Sequence, residues 1–244
     1  MDKVNCINNS TNTGPTQYSY CRVSVVIPTL NEAKNLPDVL YRLPNVVDEV
    51  IIVDGHSKDN TVEIAKEVLP NVKVILQKKS GKGDALRCAF DYVQGDIIIQ
   101  IDADGSMSPE EVPSFVEALH NGADVVKGSR FMVGGETYDM TTLRRVGNAL
   151  MTMVVNILCS TKYTDLCYGF AAFKKKALQK LTPILESNNF EIETEIFIKA
   201  KKLGLNVVEV PSIEHRRKNG ESKLNSFIDG FKILKTIVIA SLEK

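Results

Sequence analysis

An α/β fold with a mostly parallel sheet and helices on both faces follows from three features of the sequence. Short β-branched runs alternate with segments of helical period from Arg22 to Lys127. The runs are mostly apolar rather than alternately polar, as expected of strands buried on both faces. The connections between them are short, which suits repeated strand–helix units.

Each element has its own signal. Val23 to Ile27 is a strand stopped by Pro28, and Glu32 to Leu43 is a helix with Asn31 as N-cap. Glu49 to Val53 is the second strand; the helix from Lys58 to Leu69 is capped by Ser57 and stopped by Pro70. Val72 to Leu76 is a strand, Gly83 to Val93 a helix, and Asp96 to Ile101 a strand ending at Asp102-Ala-Asp104. Pro109 opens a helix reaching His120, and Asp124 to Lys127 returns to the sheet. The pattern then loosens: Phe131 to Thr141 is a loop, Leu143 to Leu158 a helix beginning with Arg144 and Arg145, Glu191 to Leu203 a helix and Asn206 to Val210 a late strand. With no repeat or Gly/Ser linker, the chain divides into an N-terminal arm (1–21), one α/β domain (22–224) and a C-terminal apolar helix (225–244).

Composition narrows the function classes. The 244 residues are 43% hydrophobic and 25% charged, the balance of a globular protein. Thirty Lys and Arg against thirty Asp and Glu leave no basic excess for a nucleic-acid backbone, so nucleic acid is not an expected partner. The five cysteines form no C-x-x-C pair, which argues against a zinc site and a disulfide framework and fits a reducing cytosol. No run of eighteen apolar residues is present, and residues 1–20 lack the apolar core of a signal peptide. The expected location is cytoplasmic, at most peripheral to a membrane.

In parallel sheets ligands sit beyond the carboxyl ends of the strands, so the residues just after them carry the chemistry. Asp102 and Asp104, two apart in extended chain, project to one side and form half of a hard-cation site for Mg2+ or Mn2+. A bare D-x-D is most often an acidic turn; its place after the fourth strand reverses that preference. Asp54 could accept hydrogen bonds from a base or ribose, although such a residue is commonly a turn cap beside Ser57. Ser80-Gly-Lys82-Gly-Asp84 resembles a phosphate cradle at a helix start but lacks P-loop spacing, against a nucleotide-triphosphate P-loop. Arg216-Arg-Lys218 leads into Gly220-Glu-Ser222-Lys223, a flexible basic loop suited to a phosphate. His56, His120 and His215 lack metal-ligand spacing, and neither G-x-G-x-x-G nor G-x-S-x-G occurs, against a dinucleotide oxidoreductase and an α/β-hydrolase.

Three segments in order resemble the signature of glycosyltransferase family 2, inverting enzymes of the GT-A fold: Val25-Val-Ile-Pro28-Thr-Leu-Asn31-Glu32, Val53-Asp54-Gly-His-Ser57-Lys-Asp59-Asn-Thr61 and Asp102-Ala-Asp104. Gly128-Ser129-Arg130, Thr164-Asp165 through Gly169-Phe170, Glu195 and Arg217-x-x-Gly220-x-Ser222-Lys223 are similar to the dolichyl-phosphate and other polyprenyl-phosphate sugar synthases. The resemblance runs from Arg22 to Leu224. It implies that Pro28, Glu32 and Asp54 line a nucleotide pocket; Lys82 of the cradle is expected to join them in binding the nucleotide sugar. It implies that Asp102 faces the ribose or the metal and that Asp104 ligates a metal bridging the diphosphate. Arg130, Arg217, Ser222 and Lys223 would surround the diphosphate or an acceptor phosphate. Two positions depart from the family: Gly55 stands where a second Asp is frequent, and Ser106 where many polyprenyl-phosphate synthases have Gln.

The expected reaction is transfer from a UDP- or GDP-linked sugar to a polyprenyl phosphate. Alternatively a soluble hydroxyl compound accepts the sugar with Asp165 or Glu195 as base; Glu191, Glu193 and Glu195 share one helix, so one of the three is expected to face solvent. A nucleotidyltransferase would want a basic Gly-rich loop after the first strand, which Pro28 to Glu32 does not supply; a non-catalytic nucleotide-sugar-binding module is the other rival. The stretch Phe227 to Leu242 is expected to pack on the catalytic domain or on a second subunit of a homo-oligomer, or to lie in the membrane interface as a peripheral contact.

Overall fold

The computed structural model describes residues 5–6 and 19–243. Most of the expected N-terminal arm therefore lies outside the described residues. Within it β1 (Asn5–Cys6) pairs antiparallel with β2 (Ser19–Tyr20). Cys21 is disulfide-bonded, which corrects the expectation that every cysteine is reduced; Cys88, Cys159 and Cys167 are free.

The strand–helix alternation is as the sequence predicts. β3 (Val23–Thr29), α1 (Leu36–Tyr41), β4 (Glu49–Asp54), α2 (Thr61–Val68), β5 (Lys73–Leu76), α3 (Lys82–Phe90) and β6 (Ile97–Gln100) follow one another. A 3-10 turn at Pro109–Glu111 leads into α4 (Val112–His120), then β7 (Val125–Ser129), β8 (Glu136–Thr137) and α5 (Thr142–Cys159). β9 (Ala171–Lys174), α6 (Lys175–Leu181), α7 (Ile192–Lys202), β10 (Val207–Pro211), β11 (Ile213–Glu214) and α8 (Ile228–Leu242) complete the chain.

Seven strands form the central sheet in the order β10-β7-β9-β6-β3-β4-β5. All neighbours are parallel except β9, which runs antiparallel to both β6 and β7. β8, inside the segment expected to be loop, pairs in parallel with β11. The apolar strands are explained by two cores. Val23, Val25 and Ile27 of β3 face one core with α1 and α4, while Val26 faces the other with α3, α6 and α7. Ile51 and Ile52 of β4 and Ile98 and Ile99 of β6 divide the same way. A strand buried on both sides is mostly apolar, and the polar residues it keeps, such as Ser24 and Lys127, are buried with polar partners.

Two helix starts differ from expectation. α1 begins at Leu36, because Asn31 takes a left-handed φ of 54° and its Oδ1 accepts from the Lys58 amide at 2.7 Å instead of capping a helix. α2 begins at Thr61, since Ser57 spends its hydroxyl on Asp54.

Candidate active site

The carboxyl ends of β3, β6 and β7 open into a cavity of about 450 Å³, walled on the far side by α5, α8 and the segment 214–226. Nine of the twelve site residues expected from sequence line it: Pro28, Glu32, Lys82, Asp102, Asp104, Arg130, Arg217, Ser222 and Lys223. Strand ends bring the first half together. β3 delivers Pro28 and Glu32, β6 delivers the two aspartates, β7 delivers Arg130, and α3 starts on Lys82.

Lys82 is the centre of the floor. Its Nζ lies 2.5 Å from Asp102 Oδ1 and 2.5 Å from Glu193 Oε1. Gly169 makes this pairing possible, because a Cβ there would fall 2.6 Å from both Lys82 Nζ and Glu193 Oε1. Burial acts to lower the Lys82 pKa, but the Asp102 and Glu193 charges outweigh it and hold the ammonium above its ordinary value. Burial lifts the Asp102 carboxyl to about 6, with Glu193 and Asp104 adding to the rise and Lys82 opposing it. One lysine shared by two carboxylates cannot neutralise both, so this corner has negative charge in excess.

That excess bears on whether a divalent cation fits. Among the described residues no group of three or more His, Cys, Asp or Glu side chains could hold a metal by itself. The donor set is the pair Asp102 and Asp104, all oxygen, in a negatively charged corner where Lys82 already meets one Asp102 oxygen and Arg217 one Asp104 oxygen. A hard cation such as Mg2+ uses one or two carboxylates and completes its shell with phosphate oxygens and water, so these residues fit it.

The segment 214–226 crosses the cavity and is tied down on both sides. Arg217 Nη2 donates to Asp104 Oδ2 at 2.6 Å and Arg217 Nη1 to Glu32 Oε1 at 3.4 Å. Lys223 pairs with Glu32 at 3.2 Å and Lys218 with Asp38 at 2.6 Å; Asn35 Nδ2 donates to the Asn219 backbone carbonyl at 3.1 Å, and Asn219 Nδ2 donates to Asn35 Oδ1 at 3.0 Å. On the other side Arg144 Nη2 donates to Ser222 Oγ at 3.1 Å and to the Leu224 carbonyl at 3.0 Å.

Three expected residues stand elsewhere. Asp54 is buried outside the cavity, where its carboxylate accepts from the Ser57 amide at 2.8 Å, the Ser57 hydroxyl at 2.6 Å and Thr29 Oγ1 at 3.2 Å. It closes a turn. Asp165 is fully buried and grips Arg130 with both oxygens, at 2.7 Å to Nε and 3.0 Å to Nη2. Burial acts to raise its pKa, but the Arg130 charge and hydrogen bonds outweigh that and hold the carboxylate below its ordinary value. Glu195 faces a separate cleft, accepts from the Glu186 and Ser187 amides at 3.0 and 2.9 Å, and pairs with Lys199 at 2.7 Å. None of the three glutamates faces solvent: Glu191, which caps α7, and Glu193 and Glu195 within it are all buried, because the helix is enclosed by the core, the 186–189 loop and α8.

Arg130 is held in place from several directions. Besides Asp165 it meets Glu214 at 3.0 Å and the Cys167 carbonyl at 2.8 Å, with its Cζ 4.5 Å from the centre of the Tyr168 ring. Behind it the fully buried Lys127 donates to the Asp165 carbonyl and pairs with Glu209 at 3.1 Å. Sequence reasoning missed Glu193 and gave Arg144 no role. The i, i+2 spacing of Glu193 and Glu195 places them on different sides of a helix, and only tertiary packing decides which side meets the cavity.

Residues 24–182 match the family model described as Glycosyl transferase family 2. The chain is 32% identical over 232 residues to a dolichyl-phosphate hexose transferase of Haloferax volcanii, covering 94% of this chain and 98% of that one. It is 33% identical over 219 residues to an undecaprenyl-phosphate mannosyltransferase of Micrococcus luteus, covering 86% and 90%. A dolichol-phosphate mannosyltransferase of Pyrococcus furiosus is 36% identical over 83% of this chain, which spans 59% of that longer relative. Among solved structures, glucosyl-3-phosphoglycerate synthase from Mycobacterium tuberculosis in complex with Mn2+, uridine diphosphate and phosphoglyceric acid superposes with a TM-score of 0.71 at 21% identity, over 92% of this chain and 80% of that one. That likeness is one of fold: a mostly parallel sheet flanked by helices.

Proposed function

The chain belongs to glycosyl transferase family 2, and we propose that it moves a sugar, with inversion, from a nucleoside-diphosphate sugar to a polyprenyl phosphate. The observation that carries the acceptor assignment is the fate of the two candidate bases. Asp165 is locked against Arg130 and Glu195 lies outside the cavity, while the cavity presents Arg130, Arg144 and Lys223. A hydroxyl acceptor needs a base to remove its proton. A phosphate acceptor is already anionic and needs cations that hold it in place. The names of the similar dolichyl- and undecaprenyl-phosphate enzymes support the same reading.

Cleavage of the anomeric bond leaves negative charge on the departing diphosphate. A divalent cation held by Asp102 and Asp104 would supply charge stabilisation to that leaving group. Lys82, between Asp102 and Glu193, keeps both carboxylates in fixed positions and adds positive charge at the cavity floor. Arg217, anchored on Asp104 and Glu32, brings a guanidinium beside the same place, and Arg130 is pre-aimed by Asp165 and Glu214 without reorganisation. The segment 214–226 forms part of the cavity wall, next to Asp104 and Glu32.

The test is to incubate the enzyme with labelled UDP- and GDP-sugars, a polyprenyl phosphate in detergent, and Mg2+, Mn2+ or chelator. A lipid-linked sugar formed only with metal is the expected result. Transfer to a water-soluble hydroxyl compound with no lipid-linked product would overturn the acceptor assignment, and equal transfer in chelator would overturn the metal's role.

A further inference from the structure

We propose that Gln77 reads the base of the donor and that this base is uracil, which makes the donor a uridine-diphosphate sugar. The presence of a nucleotide rests on the proposed function; the choice of base rests on the residues around Gln77. Gln77 follows directly on β5 and joins Pro28, Thr29 and Leu30 in the cavity wall. The strand order β6-β3-β4-β5 puts it three strand spacings, about 14 Å, across the sheet from the turn holding Asp102 and Asp104. A nucleotide with its diphosphate at the two aspartates would extend its base along that line, over the ends of β3 and β4. Pro28 and Leu30 offer the base an apolar wall.

The Gln77 side chain is buried, and its amide has a defined orientation. Nε2 donates to the Lys79 carbonyl, which leaves Oε1 as the free end. Gly55 makes room for it, since a Cβ there would come 3.3 Å from Gln77 Oε1 and 3.2 Å from the Thr29 carbonyl oxygen. The neighbouring acceptors are already engaged. The Asp54 carboxylate is spent on Ser57 and Thr29, and its carbonyl accepts from the Gln77 amide at 3.0 Å. Glu32 accepts from Asn35, Arg217 and Lys223. The Thr29 carbonyl accepts from the Gly55 amide at 2.8 Å, Lys223 takes the Leu30 carbonyl, and the Gln77 carbonyl lies 3.1 Å from His56 Nε2. Of these acceptors, Gln77 Oε1 alone has no donor among the described residues.

One free acceptor suits a base with one N–H. Uracil has a single ring N–H, at N3, between two carbonyl oxygens. Guanine has N1–H beside an exocyclic amino group, and burying that edge against one acceptor leaves amino hydrogens unpaired. Of the two bases expected from sequence, the cavity therefore favours uracil.

The test is calorimetry of the full chain in Mg2+ with UDP, GDP and 3-methyl-UDP, in which a methyl group replaces the N3 hydrogen. UDP should bind at least about tenfold more tightly than either of the others. Gln77→Leu should bind UDP and 3-methyl-UDP alike, and inorganic pyrophosphate as the wild type does, which reports that it folds. If that variant fails to fold, the wild-type comparison of UDP with 3-methyl-UDP decides alone. GDP or 3-methyl-UDP bound by the wild type as tightly as UDP overturns the proposal, as does a preference for UDP over 3-methyl-UDP that survives in Gln77→Leu. Tight GDP binding with a lipid-linked sugar formed from a GDP-sugar overturns the base assignment and leaves the proposed function standing; binding of neither nucleotide removes both.

Discussion

Asp104 and Arg217 are 113 residues apart in sequence, yet the guanidinium Nη2 lies 2.6 Å from the carboxylate Oδ2. Asp104 is held on its other oxygen by the Ser106 amide and hydroxyl at 2.9 and 2.7 Å. The carboxylate is thus fixed before any ligand arrives, by its own turn on one side and by the covering segment on the other.

Asp104→Asn should abolish transfer while leaving the fold intact. The amide keeps the shape and most hydrogen bonds but loses the charge that serves a cation and, through it, the leaving group. A fall in kcat of at least about 100-fold is expected, with thermal unfolding close to wild type. Wild-type turnover in this variant would remove the role assigned to Asp104.

Asp165→Asn separates a positioning role from a base. Removing the charge leaves a buried guanidinium with a weaker partner, so stability should fall by about 3 kcal/mol. A proton-abstracting residue would cost activity and leave stability unchanged. Urea unfolding alongside kinetics distinguishes them. The pH dependence has a defined sign: the folded-state pKa lies below the ordinary 3.8, so this stabilisation is present above that pH and is lost as pH falls through the folded value.

Glu195→Gln should leave kcat within about twofold of wild type and lower stability by about 1–3 kcal/mol. Its carboxylate organises the Glu186–Ser187 amides and Lys199 and does not reach the cavity. A large loss of kcat with unchanged stability would return it to the list of bases.

Gly169→Ala tests the Lys82 bridge. The added methyl would sit 2.6 Å from the ends of two flexible side chains, which can swing away, so the fold should survive. The displaced Lys82 and Glu193 would no longer set the floor, and kcat should drop about tenfold or more. Kinetics with a circular-dichroism check of folding decides it.

Much of this was legible from sequence because parallel strands buried on both faces advertise themselves. Val23 to Ile27 and Glu49 to Val53 contain almost nothing but β-branched residues, and the chemistry follows immediately after such strands. β9 was not legible. Ala171-Ala-Phe173 has no β-branched residue, and its place between β6 and β7 depends on contacts with strands more than forty residues away in sequence. Asp54, Asp165 and Glu195 show a second limit. A motif marks that a carboxylate is present, but whether it faces ligand or a buried donor is fixed by its neighbours, here Ser57, Arg130 and Lys199.

The reversed direction of β9 bears on how such enzymes diversify. Its ladders to β6 and β7 fix the spacing between the turn holding Asp102 and Asp104 and the strand end holding Arg130. Under the proposed function, the distance between the turn that would hold a metal and Arg130 is then a property of sheet register, which cannot drift by small steps. The walls contributed by α5, α8 and the 214–226 segment carry no such restriction. Substitutions there can exchange one incoming molecule for another while the reacting atoms keep their alignment, so descendants of one ancestor can acquire new acceptors without rebuilding the catalytic floor.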